Sequence, residues 1–247
     1  MTRPQVIAHR GSSAAYKENS WAAFEAAVVE RADVIECDVQ GTKDGVLVIR
    51  HDLGIGRRRI AECTAAEIAA LEPDLVLFTD LLLWAKRVDI GLLVEVKDPG
   101  IAVATAAMVA ASPWRDRVVI GGFHGPALAA IKTYAPEVKT SMMIGSVVAA
   151  EHLIRLARAY DANGVHPCWE SRSPYPHQLL DGAAITLLRE AGLAITLWHE
   201  EREDELRALV ALGADAICTD EPARLRRIVD ASATATARGT ERRVAHS

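Results

Sequence analysis

Short apolar runs alternate with longer amphipathic segments from one end of the chain to the other. The runs at residues 5–8, 34–39, 92–96, 118–121, 140–143, 164–166, 194–197 and 216–219 are mostly Val, Ile, Leu and Ala, bounded by Gly, Pro, Asp or Asn. That pattern predicts strands, and their near-continuous apolar character fits parallel strands covered on both faces. Between them, apolar residues recur at helical spacing over 20–30, 81–88, 103–111, 126–134, 149–160, 183–191, 203–212 and 222–229. Ser20 ahead of Trp21, and Pro222 after Asp220-Glu221, have the chemistry of helix starts. Eight strand–helix alternations predict an α/β fold, a closed (β/α)8 TIM barrel over residues 1–231. The competing doubly wound sheet lacks its dinucleotide fingerprint, since no G-x-G-x-x-G follows the first strand.

One irregularity interrupts the alternation. Residues 46–50 form a further strand-like run after the turn Lys43-Asp44-Gly45. Asp-Gly between apolar runs signals a hairpin, so the second barrel strand is expected to continue into a short hairpin excursion that returns with His51 at its end. Residues 232–247, rich in Ala, Thr and Arg without periodicity, are expected to be a flexible tail.

A chain of 247 residues is the ordinary length of one such barrel, typically ~250 residues. Its net charge of -5 argues against a general nucleic-acid binder, which needs excess Lys and Arg to neutralise phosphates. None of the four cysteines forms a C-x-x-C pair, so they are expected to be reduced thiols rather than a zinc or redox motif. No apolar stretch is long enough to span a bilayer, and the apolar run after Pro4 is too short for a secretory leader. The expectation is a cytoplasmic protein without membrane insertion; no oligomeric state is assigned.

Ionisable residues gather where a barrel places its active site, just beyond or within the C-terminal halves of the strands. His9-Arg10-Gly11 follows the first strand. In the second strand Glu36 and Asp38 share a face, because side chains alternate, and Cys37 takes the other. Two carboxylates on an inner barrel face repel and are costly to desolvate; a hard divalent cation resolves this. Glu95 and Lys97 share a face of the third strand. They could complete a three-carboxylate site and hold a phosphate, or form an internal ion pair. His51-Asp52 supplies a second histidine, a residue type that can give and take protons. Together these residues describe chemistry on an anionic substrate at a divalent metal, with a phosphate ester the best fit.

Beyond these residues, the text Glu18-Asn19-Ser20 with Ala23-Phe24, Ala32-Asp33-Val34-Ile35-Glu36-Cys37-Asp38-Val39, Thr42-Lys43-Asp44-Gly45-Val46, His51-Asp52, Val94-Glu95-Val96-Lys97, Trp198 and Gly213-Ala214-Asp215-Ala216-Ile217-Cys218-Thr219-Asp220-Glu221-Pro222 resembles the glycerophosphodiester phosphodiesterase family over residues 5 to about 230. The resemblance implies a barrel that hydrolyses glycerophosphodiesters, as small-molecule substrates, to glycerol 3-phosphate and an alcohol. It implies Mg²⁺ or Ca²⁺ held by Glu36, Asp38 and Glu95, His9 and His51 as the acid–base pair, and Arg10 and Lys97 on phosphate. It also implies attack by the glycerol hydroxyl to give a cyclic phosphate that water opens. Trp198 and Phe123 are expected to line the mouth. A lysophospholipase D-like activity on the same barrel is the alternative.

The chain departs from the family pattern in places. Residues 53–63 are compressed and carry Arg57, Arg58 and Arg59, either a solvated loop or a substrate contact. Thr79 or Asp80 is expected to cap the helix after them. The seventh strand ends Trp198-His199-Glu200-Glu201, where the family usually has Trp-Thr-Val-Asn, adding ionisable groups at the mouth. The proline-rich loop 167–176 offers Trp169 and Tyr175, which either stack on a head group or pack onto the barrel.

Overall fold

The structure is a computed structural model and describes residues 3–244, with side chains as far as residue 233. Eight parallel strands close on themselves. They are β1 (Gln5–Ala8), β2 (Val34–Gly41), β3 (Gly91–Val96), β4 (Val118–Gly122), β5 (Lys139–Ile144), β6 (Gly164–Pro167), β7 (Ala194–Leu197) and β8 (Ala216–Thr219). Each pairs with its sequence neighbour, and β1 joins both β8 and β2, which completes the (β/α)8 barrel.

Alternation along the strands separates two environments. Ile35, Cys37 and Val39 of β2 point outward into the main core against the helices. Ile7, Leu93, Met143, Ala216 and Cys218 fill the barrel interior. The same inward parity carries His9 on from Ile7, Glu95 on from Leu93, and Glu36 and Asp38 along β2, so the interior turns polar toward the C-terminal mouth. All four cysteines are buried and unbridged.

Local chemistry fixes the ends of the elements. Ser20 Oγ accepts the Ala23 N–H at 3.2 Å and starts the helix Trp21–Val29. Gly213, at φ +81°, ends the helix Glu203–Leu212 in the left-handed region. At the N-terminal face, side chains extend the strand ladders by one step. Asp33 accepts from Val6 N–H, Asn163 from Thr140 N–H and Asp215 from Ile195 N–H, at 2.8, 2.9 and 2.8 Å. These acceptors satisfy buried backbone donors where the strands begin.

The excursion exists and is larger than a hairpin. Leu47–Ile49 runs antiparallel to the end of β2, with Ile49 opposite Val39, and Val76–Leu77 adds outside it. Between them lie a two-residue ribbon, Gly54–Ile55 with Arg58–Arg59, and the helix Ala65–Leu71. Thr64 and Glu67 form a reciprocal capping box on that helix. Val48, Ile60, Cys63 and Ile68 make a small core of their own. Arg57, Arg58 and Arg59 are exposed on the ribbon, Arg58 lying 3.9 Å from Glu67.

Two boundaries correct the sequence reading. The helix Phe78–Val88 starts two to three residues earlier than a Thr79 or Asp80 cap requires, because Phe78 is drawn into the core directly from Val76–Leu77; Leu77 precedes it without a side-chain cap. The last helix, Pro222–Val244, continues through most of the segment expected to be a tail, and residues 245–247 lie outside the described residues. Among the described residues no helix is long and apolar enough to cross a membrane.

Candidate active site

The chain leaves β1 through a tight left-handed turn, with Arg10 at φ +56° and Gly11 at φ +87°. A Cβ on Gly11 would lie 2.6 Å from the Ala23 carbonyl carbon, so the turn packs directly on the first helix. Gly11→Ala combines a positive φ with backbone overlap and is expected to cost about 2–4 kcal/mol. Urea unfolding measures it; a loss below half a kcal/mol would show that the turn relaxes.

The turn sets Arg10 over the carboxylates. Its backbone N–H donates to Glu36 Oε2 at 3.0 Å, and its Nε lies 3.2 Å from Asp38 Oδ2. The guanidinium also donates to Glu18 at 2.6 Å. Glu36, Asp38 and Glu95 are all buried, and one oxygen from each lies within 4.8 Å of the others. The β2–β3 register places Asp38 beside Glu95. Lys97 Nζ donates to Glu95 at 2.7 Å and lies 3.0 Å from Asp38 Oδ1. The ion-pair reading of Glu95 with Lys97 is thus realised together with the three-carboxylate cluster.

Burial, then the charges of Asp38 and Glu95, pushes the Glu36 carboxyl well above its usual range. Burial likewise raises Glu95 against the opposing pull of Lys97. Glu36 Oε1 is buried with no hydrogen bond, and no ion pair among the described residues reaches it. A buried, unpaired carboxylate oxygen converging with two others is a donor set for a hard divalent cation, and the residues fit one.

Asn19 had no role in the sequence reading. It is at φ +54°, and its Nδ2 donates to Asp38 Oδ2 at 2.7 Å, which fixes that carboxylate across the β1 loop. Asp220 was also missed. His9 Nδ1 lies 2.7 Å from Asp220 Oδ1, which also accepts from Ser13 Oγ at 2.8 Å. Burial opposes the charge on Asp220, but the bonds from His9 and Ser13 outweigh it and hold the carboxyl down at about 2. Glu201 accepts the Asp220 N–H at 2.7 Å and fixes the loop, its own carboxyl pushed up to about 7 by burial.

His51 reaches the mouth on the excursion. Gln40 Nε2 donates to the carbonyls of Arg50, His51 and Asp52 and so holds that turn. His51 Nδ1 lies 3.1 Å from Asp52 Oδ1. A groove of about 440 Å³ runs beside it, lined by Lys17, Glu18, Asn19, Arg50, Asp52 and Glu72. Glu72 pairs with both Lys17 and Arg50, bridging the β1 loop to the excursion.

The rim is aromatic. Trp198 stands edge-on to His9 at 5.6 Å and lies 6.3 Å from Phe123, which is half exposed. His199 lies 4.7 Å from His9. Glu200 turns away, bound by Arg202 and by the backbone N–H groups of Glu201 and Arg202. Trp169 is buried in the core, so the packing alternative holds for it; Tyr175 is exposed. His166, given no role beyond ending a predicted strand, is fully buried under Trp198 at 4.5 Å with both ring nitrogens unpartnered.

Burial holds the His166 imidazole down at about 3, against 6.5 in the open chain. Between those values the unfolded chain binds the extra proton, so stability falls as pH drops from 6.5 toward 3. His166→Gln is expected to remove a slope of about 1.4 kcal/mol per pH unit from that window. Denaturant unfolding of both proteins across the window measures it; parallel curves would contradict the neutral buried state.

Residues 9–224 match the model of the glycerophosphoryl diester phosphodiesterase family. The chain belongs to that family. It is therefore an enzyme, a phosphodiesterase. A glycerophosphodiester phosphodiesterase of Caldanaerobacter subterraneus subsp. tengcongensis is 28% identical, the match covering 91% of this chain and 97% of that one. A crystal structure of a glycerophosphodiester phosphodiesterase from Parabacteroides distasonis aligns with a TM-score of 0.76 at 23% identity, over 94% of this chain and 98% of that one. An Oleispira antarctica phosphodiesterase, solved in complex with the product sn-glycerol-3-phosphate, aligns with a TM-score of 0.76 at 22% identity, over 92% and 97%. These structures share the closed barrel described above.

Proposed function

We propose that this phosphodiesterase hydrolyses glycerophosphodiesters to glycerol 3-phosphate and an alcohol, with one divalent cation, Mg²⁺ or Ca²⁺, and with His9 and His51 as the acid–base pair. The convergence of three buried carboxylates, one with an unpaired oxygen, beneath Arg10 and Lys97 carries this reading. The product-bound Oleispira antarctica barrel is consistent with it. Glu36, Asp38 and Glu95 would hold the cation, which when bound offsets charge on the phosphate oxygens.

The chain's own groups divide the remaining work. Arg10 presents a planar guanidinium and Lys97 an ammonium to non-bridging oxygens. Asp220 is ionised, so the His9 proton sits on Nδ1 and the Nε2 lone pair is left for proton transfer. Asp52, held low by its bond from His51, orients His51 in the same sense. One imidazole takes the proton of the attacking oxygen and the other gives one to the departing alcohol. Trp198 and Phe123 would bound the substrate at the rim.

A panel of glycerophosphodiesters, assayed for glycerol 3-phosphate with Mg²⁺ or Ca²⁺, tests the proposal. Product should vanish with EDTA and in His51→Ala. A folded protein that releases no product from any diester, or that prefers an acylated lysophospholipid, would overturn it.

A further inference from the structure

Beside the carboxylate cluster lies a second group of donors of different character. His9, His199 and Asp220 each offer a ligand atom, and these lie within 4.8 Å of one another. His9 is buried, and its Nε2 has no hydrogen-bond partner. Among the described residues, the side-chain hydrogen bonds to Asp220 both use Oδ1, so Oδ2 is open. His166 adds a third imidazole, fully buried and unpartnered at both nitrogens, close enough to be influenced by both His9 and His199.

Two imidazoles and a carboxylate differ from three carboxylates in what they select. Nitrogen donors favour Zn²⁺ and its neighbours, whereas an all-oxygen site favours Mg²⁺ or Ca²⁺. Glu36, Asp38 and Glu95 supply no nitrogen, and His9, His199 and Asp220 supply two of three donors as nitrogen. His199 also stands where the family pattern usually has a residue without an imidazole.

We propose that His9, His199 and Asp220 form a second cation site, selective for Zn²⁺-like ions, whose occupation withdraws His9 from proton transfer and reversibly switches the enzyme off. Binding at the site stands on these residues alone; the inhibitory consequence rests on the role proposed above for His9. No bond in the substrate is made or broken by this step. The ion occupies the Nε2 lone pair that His9 would otherwise use to accept a proton, while Nδ1 keeps its bond to Asp220.

Co²⁺ is the probe, because its visible absorption is weak in six-coordinate oxygen sites and stronger in low-symmetry sites with nitrogen ligands. The full-length protein is first saturated with Mg²⁺ and then titrated with Co²⁺. The wild type should develop a visible band at one equivalent. Glu36→Gln should keep the band, and His199→Thr and His199→Asn should lose it. In parallel, Zn²⁺ inhibition at saturating Mg²⁺ should weaken at least tenfold in both His199 variants, each measured against its own zinc-free rate. A band unchanged in both His199 variants, or abolished in Glu36→Gln, would overturn the site. A band that behaves as expected with unchanged Zn²⁺ inhibition would overturn the switch. Absence of diester turnover in every protein would count against the proposed function, while the Co²⁺ band would still decide the site.

Discussion

Replacing Glu36 by Gln is expected to lower diester hydrolysis by about a thousandfold or more, near 4 kcal/mol of transition-state stabilisation. The same change should make the metal-free protein more stable. Glu36 is buried beside Asp38 and Glu95, and without a cation the three carboxylates repel. Its folded-state pKa lies above the open-chain value of 4.5, so the stability linked to its proton is present below pH 4.5 and is lost as pH rises through the raised value. Near neutral pH the Gln variant escapes that loss. Addition of Mg²⁺ at a hundred times its dissociation constant should stabilise the wild type by about 2.7 kcal/mol and the variant by much less. Product assays and thermal melts with and without EDTA measure all three effects. A variant that keeps its turnover, or gains as much from Mg²⁺ as the wild type, would remove Glu36 from the cation site.

The second large effect concerns His9 and its partner. His9→Ala is expected to lose about 10²–10⁴-fold in kcat, the range of a missing acid–base group. In the proposed reaction Asp220 positions His9, and its two obvious replacements should differ. In Asp220→Asn the amide can donate to Nδ1, which moves the imidazole proton to Nε2 and removes the lone pair. In Asp220→Ala either tautomer is allowed. Asp220→Asn should therefore be the worse enzyme, approaching His9→Ala, with kcat falling and KM little changed. A merely structural role would make Asp220→Ala the worse of the two, since Ser13 and His9 would both lose their acceptor.

The parts of this site that the sequence disclosed are those that depend on neighbours in the chain. Glu36 and Asp38 share a face because they are two apart in a strand, and Glu95 with Lys97 repeats that logic. The barrel was legible for the same reason, each strand being a short apolar run with polar ends. Asp220 and Asn19 were not, since their partners lie 211 and 19 residues away and only the pairing of β1 with β8 and with β2 brings them together. His166 has the inward parity of its strand, but nothing local distinguishes a histidine under Trp198 from one on the rim. Trp169 shows the converse: an aromatic in a proline-rich loop has the same sequence whether it faces a substrate or the core. Residues 53–77 eluded the pattern because their order comes from a satellite core of four side chains spread over 48–68.

That satellite core divides the two histidines proposed as the acid–base pair between units of unequal durability. His9 is anchored in the closed strand ring, whereas His51 is mounted on a small antiparallel module with its own minor core. The module is joined to the β1 loop by the Lys17–Glu72–Arg50 bridge. Such a module opens at lower free energy than the ring that supports it. Amide protons of Leu47–Ile49 should therefore exchange before those of β1 and β8, and mild urea should silence the enzyme while the strand ring is still intact. On that account the excursion would be the fuse of this barrel, and activity, rather than fold, is what the molecule is expected to lose first.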